Sequence, residues 1–126
     1  MAEIPAGGKM SARAMARMFA ALLSEVDGVR LVSSERLREI SAVACSGVDQ
    51  IMDSPCNWAL GYAIGRPGAD PNESRTVFGM GGAGGSYAYA DTDTGVAFAL
   101  TKNRLTLDLN AAEQIVPIVT EAVANR

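Results

Sequence analysis

The sequence predicts an α+β domain. Two N-terminal helices and one C-terminal helix pack on an antiparallel sheet of about three strands. Three observations carry this. Apolar residues recur at helical spacing twice before residue 44 and once after residue 108. The middle of the chain holds short apolar and aromatic runs divided by Gly- and Asp-rich turns. Those turns are too short for crossover helices, so the strands they join are expected to run antiparallel.

The elements follow in order. Residues 1–10 read as a loose, Gly-containing lead-in. Ser11 is placed to cap a helix over residues 12–24, where Met15, Met18, Phe19, Leu22 and Leu23 form one apolar stripe. Asp27 and Gly28 turn the chain into a short extended piece, 29–32. Ser33 caps a second helix to about Val43, with Glu35 in its first turn and Leu37, Ile40 and Val43 inward. Residues 45–57 contain Gly47 and Pro55 and read as loop, which makes 11–57 the helical part. Residues 58–64 read as a strand, 65–74 as a solvated loop, and 76–78 as the start of a second strand. Residues 87–90 and 96–101 flank the turn Asp-Thr-Asp-Thr-Gly, with Gly95 where positive φ is needed. The sheet part is therefore 58–104. The closing helix, over 109–124 within the final part 105–126, is expected to turn Ile115, Ile118, Val119 and Ala122 inward and to kink or break at Pro117.

Composition removes several functions. The 126 residues suffice for one domain with one core. Net charge is −3 with no basic stripe, so nucleic acid is not an expected partner. No apolar run reaches the length of a membrane span, and the start lacks a charged-then-apolar leader; a cytoplasmic location is the expectation. Cys45 and Cys56 do not form a C-x-x-C pair and read as reduced, partly buried thiols. There is no histidine, hence neither the usual neutral-pH general base nor the commonest metal ligand. Asp91 and Asp93 read as turn chemistry, because one short turn lacks the further oxygens a calcium site needs. No metal and no cofactor are expected.

The segment FGMGGAGGSYAYA is the least ordinary. Gly79, Gly81 and Gly84 fit G-x-G-x-x-G, but a dinucleotide site needs a helix next, and a strand pattern follows instead. Ser86 sits in a near match to the hydrolase elbow G-x-S-x-G, yet leads into a strand and has no histidine to serve it. Two readings stay open. The glycines let a substrate approach the backbone, with an N–H aimed at a developing oxyanion. Alternatively, they form a tight strand packed under a neighbouring element.

Beyond these patterns, "WALGYAIG", then "FGMGGAGGSYAYADTDTGVAFALTKNR", then the closing amphipathic helix, resemble the C-terminal part of the serine β-lactamase-like family. That group holds class C β-lactamases, penicillin-binding carboxypeptidases and many bacterial esterases and lipases. "SARAMARMFAALL" and "DGVRLVSSERLREI" resemble its upstream helical stretch, so the likeness covers nearly the whole chain as one partial β-lactamase/transpeptidase-like domain. The family's third motif, Lys-Thr-Gly or His-x-Gly, falls on Met80, Gly81 and Gly82. The resemblance implies that Gly81 and Gly82 line the substrate groove, that the Ala83 N–H forms half of an oxyanion hole, and that Asn103 lies near the substrate. Met80 departs from the pattern, having neither the charge nor the proton that Lys or His would bring. The nucleophile motif Ser-x-x-Lys and its companion Tyr-x-Asn are absent from these residues, so no catalytic residue is assigned. The expectation is a C-terminal portion of a serine hydrolase, silent alone. It would pair with a polypeptide supplying the N-terminal half or with itself. The alternative is a non-catalytic binding or assembly module that uses an exposed sheet edge.

Overall fold

The computed structural model describes residues 8–70 and 72–125. Most of the lead-in, with Pro71 and Arg126, lies outside them. Helix α1 is Ala12–Leu23 and α2 is Ser34–Ser41. Both carry the expected caps: Ala14 N–H donates to Ser11 Oγ at 3.2 Å, and Arg36 N–H to Ser33 Oγ at 3.1 Å. Between them Val26 and Val29 form an isolated bridge around Asp27 and Gly28, both at positive φ.

Among the described residues the sheet has six strands rather than about three. In chain order they are β1 Cys45–Asp49, β2 Ser54–Trp58, β3 Ala63–Ile64, β4 Val77–Gly81, β5 Tyr87–Asp91 and β6 Ala97–Leu100. Each pairs antiparallel with the next, so spatial order equals sequence order. The largest correction falls on residues 45–57, expected as loop within a helical part and found as the β1–β2 hairpin. Its turn is organised by Asp49, whose Oδ1 accepts the N–H groups of Ile51 and Met52, both at 2.9 Å. β1 is almost wholly exposed, so there is no in-out alternation for a sequence reading to detect. Pro55 is tolerated in this peripheral hairpin, where it opposes Val48. The strand expected over 58–64 is split: β2 ends at Trp58, and β3 is two residues after a turn in which Ala59 N–H donates to the Tyr62 carbonyl.

Side chains alternate across the inner strands and build a core on each face. Phe78, Ala88, Ala90 and Ile64 face α1, meeting Phe19 and Leu22, with Leu37 and Ile40 of α2 packed behind. Val77, Tyr87 and Tyr89 face the other way, against Ala112 and Val116 of α3, Asn110–Ala124. β5 is buried at all five positions, as a strand covered on both faces must be.

The inward stripe of α3 differs from the one expected. Ala112 and Val116 are buried, whereas Ile118 is 65% exposed, and Ile115 and Ala122 also face out. The helix is apolar nearly all round, so periodicity alone does not choose a face. The sheet face beneath it carries the large rings of Tyr87, Tyr89 and Phe98, and the small Ala112 lets the helix approach them. The helix runs through Pro117 without a break. Among the described residues no helix is long and apolar enough to cross a membrane.

Candidate functional site

The glycine segment forms the end of β4 and the turn into β5. Gly82 N–H donates to the Ser86 carbonyl and Gly85 N–H to the Gly82 carbonyl, both at 2.8 Å, with Gly85 at φ 79°. Neither a helix nor an elbow follows, and the dinucleotide and nucleophile-turn geometries are absent.

Most of the glycines serve neighbours. A β-carbon on Gly79 would overlap the Ala88 carbonyl oxygen and sit 2.7 Å from Tyr89 Cα, both backbone of β5. One on Gly81 would press the Leu109 methyls at 3.1 Å, and one on Gly84 would meet Leu105 Cδ1 at 2.8 Å. At Gly85 it would overlap the Lys102 ammonium and lie 2.5 Å from the Asp108 carbonyl oxygen. Close packing therefore explains Gly79, Gly81, Gly84 and Gly85. Gly82 is different: its nearest neighbour would be 3.7 Å away, and the residue is exposed.

A free strand edge passes through this point. β3 pairs with β4 only at Ala63–Gly79 and Ile64–Phe78, while β4 continues to pair with β5 through Met80 and Gly81. From Met80 onward the main chain has β5 on one side and no strand on the other. Met80 is 42% exposed, Gly81 half-buried, and Gly82 and Ala83 exposed. The Ala83 N–H has no acceptor among the described residues. An extended ligand can add to such an edge by main-chain hydrogen bonds, with an unpartnered N–H at its end. On the α3 side of the edge a cavity of about 490 Å³ opens between Gly81, Tyr87, Leu109 and the 63–69 segment.

The structure brings Met80, Gly81, Gly82 and Ala83 into one continuous edge, and leaves Asn103 apart. Asn103 lies exposed on the loop after β6. It shares an end of the sheet with the turn, but β5 stands between, since Leu100 pairs with Tyr87 and Tyr87 with Gly81.

Two features escaped the sequence reading. One is the loop 101–109, seated on the glycine turn through Lys102, Leu105, Asp108 and Leu109. Its signal was the match between small residues at 81, 84 and 85 and bulky ones in the segment between the last strand and the closing helix. The other is a buried ion pair behind the groove. Arg66 Nη2 lies 3.2 Å from Asp91 Oδ2, with side chains 21% and 3% exposed, and Arg66 Nη1 donates to Ser74 Oγ at 2.9 Å. Burial pushes the Asp91 carboxyl up, but donors from Thr76, the Asp93 N–H and Thr94, with the Arg66 charge, outweigh it and hold its pKa below the usual value. Asp91 thus ties the hairpin turn to the 65–74 loop. Among the described residues no group of three or more candidate ligands could hold a metal. The Tyr87 hydroxyl donates to the Gly65 carbonyl at 3.1 Å, and burial raises its pKa far above the ordinary phenol, so it stays neutral. Cys45 is exposed rather than partly buried, and both cysteines are free.

This layout, a meandering antiparallel sheet between helices, recurs in solved structures. EstA from Arthrobacter nitroguajacolicus Rue61a superposes with TM-score 0.70 at 23% identity, over 91% of this chain and 32% of that one. A family VIII carboxylesterase gives 0.64 at 24%, over 75% and 26%. A penicillin-binding protein homolog from Caulobacter crescentus gives 0.67 at 28%, over 77% and 27%. In sequence, 108 residues are 40% identical to the Esterase/beta-lactamase LipL of Mycobacterium tuberculosis (strain ATCC 25618 / H37Rv), covering 82% of this chain and 24% of that protein. The Beta-lactamase family model matches residues 2–118. The chain belongs to the β-lactamase family. It spans about a quarter to a third of the length of these relatives.

Proposed function

We propose that this chain supplies the groove-lining part of an esterase-type serine hydrolase of the β-lactamase family, and that it does not turn over substrate alone. The single observation that carries this is the free edge of β4 from Met80 to an unpartnered Ala83 N–H. That edge can hold an extended acyl substrate and donate to a tetrahedral oxyanion. Gly82, which touches nothing tightly, leaves room for the acyl group. Met80 replaces the charged or protic residue of the third motif, which leaves main-chain donors as the polar groups of this edge. These residues contain no Ser-x-x-Lys and no Tyr-x-Asn, so the nucleophile and its base must come from other polypeptide. An oxyanion donor without a nucleophile retains only a small part of the acceleration.

The test is complementation with a chromogenic ester and a cephalosporin. The purified chain should show no turnover above buffer. It should gain turnover when co-expressed with a family polypeptide that carries Ser-x-x-Lys and Tyr-x-Asn but ends before the segment matched here. Turnover by the chain alone that survives Ser86→Ala would overturn the proposal.

A second reading, assembly through a sheet edge, is favoured by β1. This outer strand is exposed at four of its five positions and leads into a hairpin tip where Ile51 is 92% exposed. Such an edge is a template for pairing. A clean monomer by light scattering at high concentration would reject self-association.

A further inference from the structure

The cavity beside the Met80 edge holds an aromatic ring and a carboxylate that the rest of the fold leaves unused. Strand register puts Trp58 on the α3-facing side of the sheet. Trp58 pairs with Ala63, Ala63 with Gly79, and Gly79 with Tyr89, which packs under α3. Trp58 and Tyr87 line the cavity, and so does Glu113 of α3. The Trp58 side chain is half-buried and, among the described residues, meets no other ring. Its cross-strand neighbour on β3 is an alanine, too small to cover the indole.

Glu113 is held in place by its stem. A β-carbon at Gly68, which sits at φ 75°, would lie 3.1 Å from Glu113 Cγ, so the side chain packs on that glycine. Its carboxylate forms no ion pair among the described residues. Glu113 also lines a second cavity of about 480 Å³, which runs on between the 66–74 segment and α3. Arg66, the other charged residue lining the first cavity, is spent on Asp91. One uncompensated negative charge therefore faces the space. A carboxylate in the first turn of a helix complements the helix dipole, but that role needs no aromatic wall. A ring face and a fixed carboxylate on one otherwise neutral cavity are what an organic cation requires. The ring quadrupole attracts its charge, and the methyl shell of a quaternary ammonium suits apolar walls.

We infer that this cavity is a binding site for a quaternary ammonium group, with Trp58 as its aromatic wall and Glu113 as its counter-charge. The binding stands on these residues alone. Only its use, to grip the cationic end of an ester whose carbonyl lies at Ala83, rests on the acyl-transfer reading above.

The experiment titrates the chain with choline and with 3,3-dimethylbutan-1-ol, its uncharged carbon isostere. NMR follows the Gly68 amide and the indole N–H of Trp58, the one tryptophan of the chain. The indole should favour the cation about fivefold and the carboxylate about threefold, so choline should bind roughly fifteenfold tighter than the isostere. Glu113→Gln should leave a preference of about fivefold, and Trp58→Leu, read at the Gly68 amide, about threefold. If Trp58→Leu unfolds, Trp58→Phe serves; its weaker ring should bring the preference between that of the parent chain and about threefold. Equal affinity for choline and its isostere, no saturable shift with either, or an unchanged preference in Glu113→Gln would each overturn the site. Failure of the complementation assay, by contrast, would remove the acyl-transfer reading and leave these shifts in place.

Discussion

Gly79→Ala is the sharpest test of why this segment is rich in glycine. Its β-carbon would overlap the Ala88 carbonyl and lie 2.7 Å from Tyr89 Cα, so the obstructing atoms are backbone and no rotamer change relieves them. Restoring an ordinary contact with the Ala88 oxygen means parting β4 from β5 by roughly 1 Å, which stretches the ladder hydrogen bonds between them beyond useful length. Overpacking costs about 1–3 kcal/mol, and two weakened ladder bonds add about 1–3 kcal/mol. The entropic gain of replacing glycine offsets up to about 1 kcal/mol. The net expectation is a loss of about 3–4 kcal/mol, a large share of the roughly 6–19 kcal/mol available to a chain of this size. Gly82→Ala is the matched control, because its β-carbon would meet only the Ser86 carbonyl oxygen at 3.7 Å; it should change stability by less than about 0.5 kcal/mol. Urea unfolding followed by Trp58 fluorescence and circular dichroism measures both. A Gly79→Ala variant within about 1 kcal/mol of Gly82→Ala would refute the reasoning, and would mean that Gly79 keeps space for a ligand rather than for β5.

Two further predictions concern stability. Arg66→Met removes the cation beside the 3%-exposed Asp91 and should cost about 2–3 kcal/mol at pH 7, somewhat less than the ~3–5 kcal/mol for breaking a fully buried pair because Arg66 keeps some solvent. Asp91 has a folded pKa below 3.8, so its contribution is present above that value and is lost as pH falls through the folded one. The deficit of Arg66→Met, read by thermal melts from pH 7 to pH 3, should therefore shrink below about pH 4; a deficit constant with pH would reject the ionic reading. Ser33→Ala should cost about 1 kcal/mol through loss of the α2 cap, and because no residue of α2 is fully buried, hydrogen exchange should quicken over Ser34–Ser41 while β5 stays protected.

Parts of this protein are written locally. The two serine caps and the α1 stripe through Phe19 and Leu22 depend on residues within one or two turns of each other. The hairpin around Gly95 likewise follows from alternation on either side of a turn residue. These features stood in the sequence and stand in the structure. The resemblance of ordered segments also placed the glycine turn in the right family, which composition alone could not do.

Other features depend on what lies across the fold. β1 is exposed at four of its five positions, so no burial pattern marked it, and the hairpin joins the rest of the sheet through the Trp58–Ala63 pair of β2 with β3. The face of α3 was chosen by the rings of Tyr87, Tyr89 and Phe98, which lie some ten to thirty residues earlier in the chain. The unpaired edge at Met80 arises because β3 stops after two residues, and the 101–109 loop is seated where it is because Lys102, Leu105 and Leu109 find space where glycines lie opposite. Sequence periodicity reports which residues avoid water; which partner covers them, and which edge is left open, is decided by the strands and loops that the whole chain brings together.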